Sequence, residues 1–236
     1  MPKCTQCRRW WLTWQIEDGL CRACREVPVD VSLEFMHYPG ELPQEHIRRK
    51  PQHWRKMHSL QMLELVREGG TYVAFDTETT GLEPYKDEII EIGAVKMCRG
   101  QEIERFSELI DPRRPLPREI TEITHISDAM LSGRPTMGEV LPRFLDFVGG
   151  APLTAHNAKF DIEFLSSACE DFGLEMGDPL VFDTLHYCRG LFKGEIENFR
   201  LGTVTEHIGY HNENAHRATD DALAVAAIIE YAANRI

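Results

Sequence analysis

Tyr72-Val73-Ala74-Phe75-Asp76-Thr77-Glu78-Thr79-Thr80-Gly81 is the stretch on which the fold turns. Its unbroken apolar start reads as a buried strand. Strand side chains alternate between faces, so Asp76 and Glu78, two residues apart, leave the strand end on the same side. The turn-rich Gly81-Leu82-Glu83-Pro84-Tyr85-Lys86-Asp87 follows and predicts a hairpin into a second strand. Two more acidic segments come later, His156-Asn157-Ala158-Lys159-Phe160-Asp161 and His216-Arg217-Ala218-Thr219-Asp220-Asp221. Together the three segments contain five carboxylates and two histidines, enough for the four carboxylates and one histidine needed to hold two divalent ions against a phosphate and to activate water beside them.

Outward from that strand, the pattern predicts strands near 71–76, 88–98, 102–110, 152–155 and 180–183. Helix 137–148 has Val140, Phe144 and Phe147 on one face. After the second acidic segment, Asp161, Leu165, Ala168 and Phe172 recur at steps of three or four. Asp161 therefore rides the inner edge of a core-facing helix and points toward the first-strand carboxylates. The alanine-rich run from Ala218 to Asn234 predicts a helix with Ala222, Val225, Ile229 and Ala232 as its buried stripe. Asp221 falls in its first turn, where the helix dipole alone favours a carboxylate.

These three segments, in this order, resemble motifs I, II and III of the DnaQ-like (DEDDh) 3′→5′ exonucleases over roughly residues 70 to 236. The likeness extends to the proofreading domains of bacterial replicative polymerases of the PolC and epsilon type. Glu91-Ile92-Gly93-Ala94-Val95, Thr124-His125-Ile126-Ser127-Asp128 and Phe182-Asp183-Thr184-Leu185 fall where that family has similar runs. The resemblance implies a ribonuclease H-like α/β fold, a mixed five-stranded sheet flanked by helices. It implies that Asp76, Glu78, Asp161 and Asp221 bind two Mg²⁺ or Mn²⁺ ions and that His216 is the general base. The spacing His-x₄-Asp runs from His216 to Asp221 and passes over Asp220. By the same carry-over, Thr79 and Leu82 hold the terminal nucleotide. His156 and Asn157 support the loop that presents Asp161 or contact substrate, and Phe160 stacks on a base or packs in the core. One departure stands out: relatives usually have Thr-Gly-Ile where this chain has Thr124-His125-Ile126, which sets an imidazole beside the expected nucleotide pocket.

Composition agrees with a globular chain. Of 236 residues, 42% are hydrophobic and 27% charged, and no run approaches the roughly 18 apolar residues of a membrane span. Met1-Pro2-Lys3-Cys4 opens no apolar signal region, so the expected compartment is cytoplasmic. The net charge of −12 is unevenly divided: +2 over residues 1–70 and −14 over residues 71–236. So acidic a region does not grip nucleic acid by electrostatics alone. Brief capture of a few nucleotides at a 3′ end is the expected use, with another domain or a polymerase subunit supplying residence time.

Residues 1–26 carry Cys4-Thr5-Gln6-Cys7 and Cys21-Arg22-Ala23-Cys24. Two Cys-x-x-Cys pairs at this separation read as a four-thiolate structural Zn²⁺ site, a small ribbon or knuckle; a disulfide pair or redox motif is the alternative. Metal binding would supply most of the folding free energy of such an element, on the order of 10 kcal/mol or more. Trp10-Trp11-Leu12-Thr13-Trp14 either packs over the sulfurs or presents an aromatic surface. Cys98, Cys169 and Cys188 read as buried, inert thiols. Residues 27–69 read as a proline-broken linker followed by a helix from Gln52 to Glu68, with Trp54, Met57, Leu60 and Leu63 near helical spacing. Arg48-Arg49-Lys50 and Arg55-Lys56 make a basic cluster there that either meets phosphate or forms a solvated helix face.

The leading functional expectation is a two-metal 3′→5′ exonuclease on single-stranded DNA, in proofreading or repair. A 3′ exoribonuclease uses the same five residues, and a zinc-ribbon interaction module with an idle nuclease body is a third reading. The third leaves four mutually repelling carboxylates without a purpose.

Overall fold

The computed structural model describes residues 16–17, 20–21, 53–212 and 215–235. The chain divides into two compact units, Met1–Pro51 and Gln52–Ile236. In the first, β1 (Ile16–Glu17) and β2 (Leu20–Cys21) pair antiparallel, with Ile16 opposite Cys21. Of the cysteines expected to hold zinc, Cys4, Cys7, Cys24 and the side chain of Cys21 lie outside the described residues, as do the tryptophan run and Arg48-Arg49-Lys50.

The second unit begins with β3 (Arg55–Lys56) and α1 (Ser59–Arg67). An antiparallel meander follows, β4 (Thr71–Thr79), β5 (Ile89–Cys98) and β6 (Gln101–Leu109). Then come α2 (Arg118–Thr124), α3 (Asp128–Leu131), α4 (Met137–Val148), β7 (Leu153–Ala155) and α5 (Ala158–Phe172). β8 (Leu180–Asp183), α6 (Thr184–Leu191), α7 (Leu201–His207) and α8 (Ala218–Ala233) complete it. The sheet order is β3-β8-β7-β4-β5-β6, with β3, β8, β7 and β4 mutually parallel and β5 and β6 antiparallel.

This is the mixed α/β sheet that the sequence predicts, with one strand more than the five expected. The extra strand lies inside the stretch read as helix from Gln52. Arg55 and Met57 donate backbone N–H groups to Pro179 and Val181, so an extended segment satisfies the free edge of β8. The helix cannot reach back past His58, whose backbone is extended and whose N–H is held by the Gln61 side chain at 3.0 Å, one half of a capping box. Apolar spacing misled here because Met57 is buried from a strand-like position while Leu60 is 66% exposed on the outer face of α1.

The sheet is covered on both faces, and the parity of β4 decides what lies on each. Val73 and Phe75 face a core shared with α4 and α5, through Val140, Phe144, Ile162 and Leu165. Tyr72 and Ala74 face the other core with α1 and α8, through Met62, Val66, Ala222, Val225 and Ile229. Every apolar position expected for α8 is buried, and the Tyr72 hydroxyl donates to Glu230 at 2.8 Å, fixing the far end of α8 along β4. Cys169 and Cys188 are fully buried, which pushes both thiols up to about 12. Cys98 is only half-buried, with its thiol toward the Gly69 carbonyl, and so departs from the expectation for it.

Candidate active site

Continuing the same parity past Phe75, Asp76 and Glu78 fall on the α8 side of the sheet and Thr77 on the α5 side. Thr77 is therefore the residue that meets Asp161. Its backbone N–H and hydroxyl both donate to one Asp161 oxygen, at 3.0 and 2.7 Å. Asp161 lies in the first turn of α5 and is 3% exposed. That turn begins at Asn157, whose left-handed backbone (φ 70°) ends β7 abruptly and starts the helix. The pairing of β4 with β5 loses its regular register just after Glu78, an irregularity of the kind that re-aims side chains beside active sites.

Asp221 enters from the first turn of α8. One of its oxygens accepts the His216 backbone N–H at 3.0 Å and the other the Asn212 amide at 2.6 Å, so the carboxylate ties down the loop that carries His216. His216 itself has a left-handed backbone (φ 65°) and is exposed. Ligand atoms of Glu78, His216 and Asp221 lie within 4.8 Å of one another.

The first turn of α8 is seated by two residues that sequence reading did not assign a role. Glu91, opposite Glu78 in register, is 1% exposed. Its carboxylate accepts from Arg217 Nε and Nη2, at 3.2 and 2.8 Å, and from the Ala218 backbone N–H at 3.1 Å. Two positions on, a Cβ at Gly93 would overlap the backbone of Ala218 and Thr219. Only glycine lets the helix end approach β5 this closely. The available signal was a glycine inside a strand pattern, followed far along the chain by an arginine within the third acidic segment.

Asp76, Glu78, Asp161, His216 and Asp221 line one cleft of about 660 Å³. His156, Asn157 and Phe160 line it as well. Thr79 and Leu82 do not: the Thr79 hydroxyl turns back to the Gly81 carbonyl at 2.6 Å, and Leu82 stands 80% exposed on the following loop. His125 is exposed at the end of α2 and is likewise outside the lining. The His156 ring bridges the Thr184 hydroxyl at 2.9 Å and the Phe199 carbonyl at 2.7 Å, so it anchors the segment entering α7 and not the loop that presents Asp161. Burial holds its pKa down, which keeps the ring neutral.

The electrostatics of the cluster are those of a cation site. Burial, then repulsion from Asp161, Asp221, Glu78 and Glu91, drives the Asp76 carboxyl well above its ordinary range. Glu78 is pushed up to about 8 by burial and by Asp221, Glu91 and Asp161, with Arg217 pulling it back. Burial raises Asp161 to about 7 against the pull of its Thr77 hydrogen bonds, and burial raises Asp221. A set of carboxylate oxygens with one imidazole suits hard divalent ions such as Mg²⁺ or Mn²⁺, whose charge would reverse each of these shifts.

The exonuclease (RNase_T) family profile matches residues 73–229, more than half of the chain. The chain belongs to the exonuclease family. This exonuclease domain is 44% identical over 160 residues to the PolC-type DNA polymerase III of Clostridium perfringens. It is 41% identical over 162 residues to that of Thermotoga petrophila. Those matches take in 68% of the chain but 11% and 12% of the polymerases, so the exonuclease spans about a tenth of these relatives. Among solved structures, exonuclease X in complex with 5′-overhanging duplex DNA aligns with a TM-score of 0.56 at 27% identity, covering 68% of this chain and 90% of that one. Exonuclease I of Escherichia coli, in a zinc-bound complex with single-stranded DNA, aligns with a TM-score of 0.62 at 21% identity, covering 70% of this chain and 40% of that one. This second likeness is one of fold.

Proposed function

We propose that the domain is a metal-dependent 3′→5′ exonuclease that removes nucleotides from the 3′ end of single-stranded DNA, in proofreading or repair within the cytoplasm. The observation that carries the reading is the meeting of Asp76, Glu78, Asp161, Asp221 and His216 in one cleft. Asp76, Glu78, Asp161 and Asp221 would hold two Mg²⁺ or Mn²⁺ ions. When bound, these supply Lewis-acid polarisation of the phosphate and acidification of the attacking water. His216 takes the proton that water loses as its oxygen bonds to phosphorus, and its exposed position gives that proton a route to solvent. The bond from phosphorus to the 3′-oxygen breaks, that oxygen takes up a proton, and the products are a nucleoside 5′-monophosphate and a shortened strand with a 3′-hydroxyl. Similarity to PolC-type polymerases favours a primer terminus as substrate and a polymerase as partner.

The test is a gel time course with 5′-labelled DNA and RNA of one sequence in Mn²⁺, beside the Asp76→Ala variant. A ladder shortening from the 3′ end on DNA and absent in the variant is the expected result. Faster loss of RNA would move the enzyme to RNA processing, and no ladder on either strand would sink the nuclease reading.

A further inference from the structure

Part of the cleft is lined by α7, and Arg200 stands at the entry to that helix. Among the described residues that line the cleft it is the sole lysine or arginine, amid Asp76, Glu78, Asp161, Glu206 and Asp221. It is exposed, and no ion pair occupies it among the described residues. Its backbone is built in place from both sides. The Arg200 N–H donates to the Asn198 side-chain oxygen at 3.1 Å, and that oxygen also receives the Thr203 hydroxyl at 2.8 Å. The preceding carbonyl, of Phe199, is held by His156 at 2.7 Å. A histidine in the second acidic segment thus holds the residue next to the cleft's arginine.

A strand entering this cleft brings one negative charge per linkage into an already negative space. The carboxylate cluster, loaded with cations, can accommodate the phosphate under attack. The next phosphate along needs its own positive partner, and the described lining of the cleft offers one arginine. We propose that Arg200 binds a backbone phosphate of the strand, next to the linkage being cut, and so sets how the 3′ end is held. This rests on the exonuclease reading. Guanidinium suits the role because its planar fork pairs with phosphate oxygens.

The test reads binding, so it does not depend on turnover. A fluorescein-labelled single-stranded oligonucleotide is titrated by anisotropy with full-length Asp76→Ala protein, with and without Arg200→Gln, over a salt series. Arg200→Gln should weaken binding about tenfold and reduce the slope of log affinity against log salt by about 0.7, the value of one single-strand phosphate contact. Arg200→Lys should keep the salt slope, and an unchanged melting temperature shows that the fold is intact. With a neutral methylphosphonate at the penultimate linkage, the two proteins should bind alike. Equal binding of the all-phosphate strand, or a difference that persists on the neutral linkage, would overturn the proposal. Hydrolysis of a p-nitrophenyl ester of thymidine 5′-monophosphate by the wild-type protein reports separately on the nuclease reading, because that ester has no second phosphate.

Discussion

At the scale of single residues, Glu91 and Arg217 decide whether Asp221 and His216 arrive in the right place. The Glu91 carboxylate is 2% exposed and has exchanged water for one guanidinium and one helix N–H. Removing the guanidinium leaves that buried charge with a single donor. Arg217→Met should therefore cost about 3 kcal/mol in urea unfolding and lower cleavage more than Asp220→Asn does; a cost below about 1 kcal/mol would show that the pair is largely screened. Asp76→Ala should act in the opposite way. It removes a carboxylate that burial and four acidic neighbours oppose, so the metal-free variant should melt no lower than wild type while losing at least about 100-fold in cleavage rate. Asp76, Glu78, Asp161 and Asp221 were legible because each belongs to a short local pattern. Glu91 and Arg200 were not: Glu91 pairs with Arg217, 126 positions away, and the residue before Arg200 is held by His156, 43 positions away, and local spacing carries no trace of either contact.

At the scale of elements, the seating of α8 on β5 is set by contact at a missing side chain. Gly93→Ala should cost about 3 kcal/mol, because the obstacle is helix backbone and cannot rotate away. In α1, Met62→Ala should cost about 2 to 5 kcal/mol and Leu60→Ala less than about 0.5, by chemical denaturation. If the two costs were equal, the packing of α1 against the core would be misjudged. Strands β4 to β8 and helices α4, α5 and α8 fell close to their expected spans, since each has a long periodic pattern or a clear turn beside it. The segment before α1 did not. A two-residue strand has no period of its own, and its conformation is dictated by the open edge of β8.

At the scale of the molecule, pH and metal act together on stability. With Glu78 pushed up to about 8 and Asp161 to about 7, the folded protein retains protons that the unfolded chain has already released. The metal-free protein should therefore lose stability as pH rises from about 4.5 to 8, with the full cost present above that window. Divalent ions relieve the same repulsion, so Mn²⁺ should raise the melting temperature by at least about 3 °C more at pH 8 than at pH 6. Scanning calorimetry at both values checks this, and an equal shift would argue against these carboxylates as ligands. The cluster also has a history within each newly made chain. The bonds that assemble it join residues 84 and 126 positions apart, and Asp221 arrives on the last helix described. A nascent chain still attached to its ribosome thus carries the first-strand carboxylates long before it can cut anything.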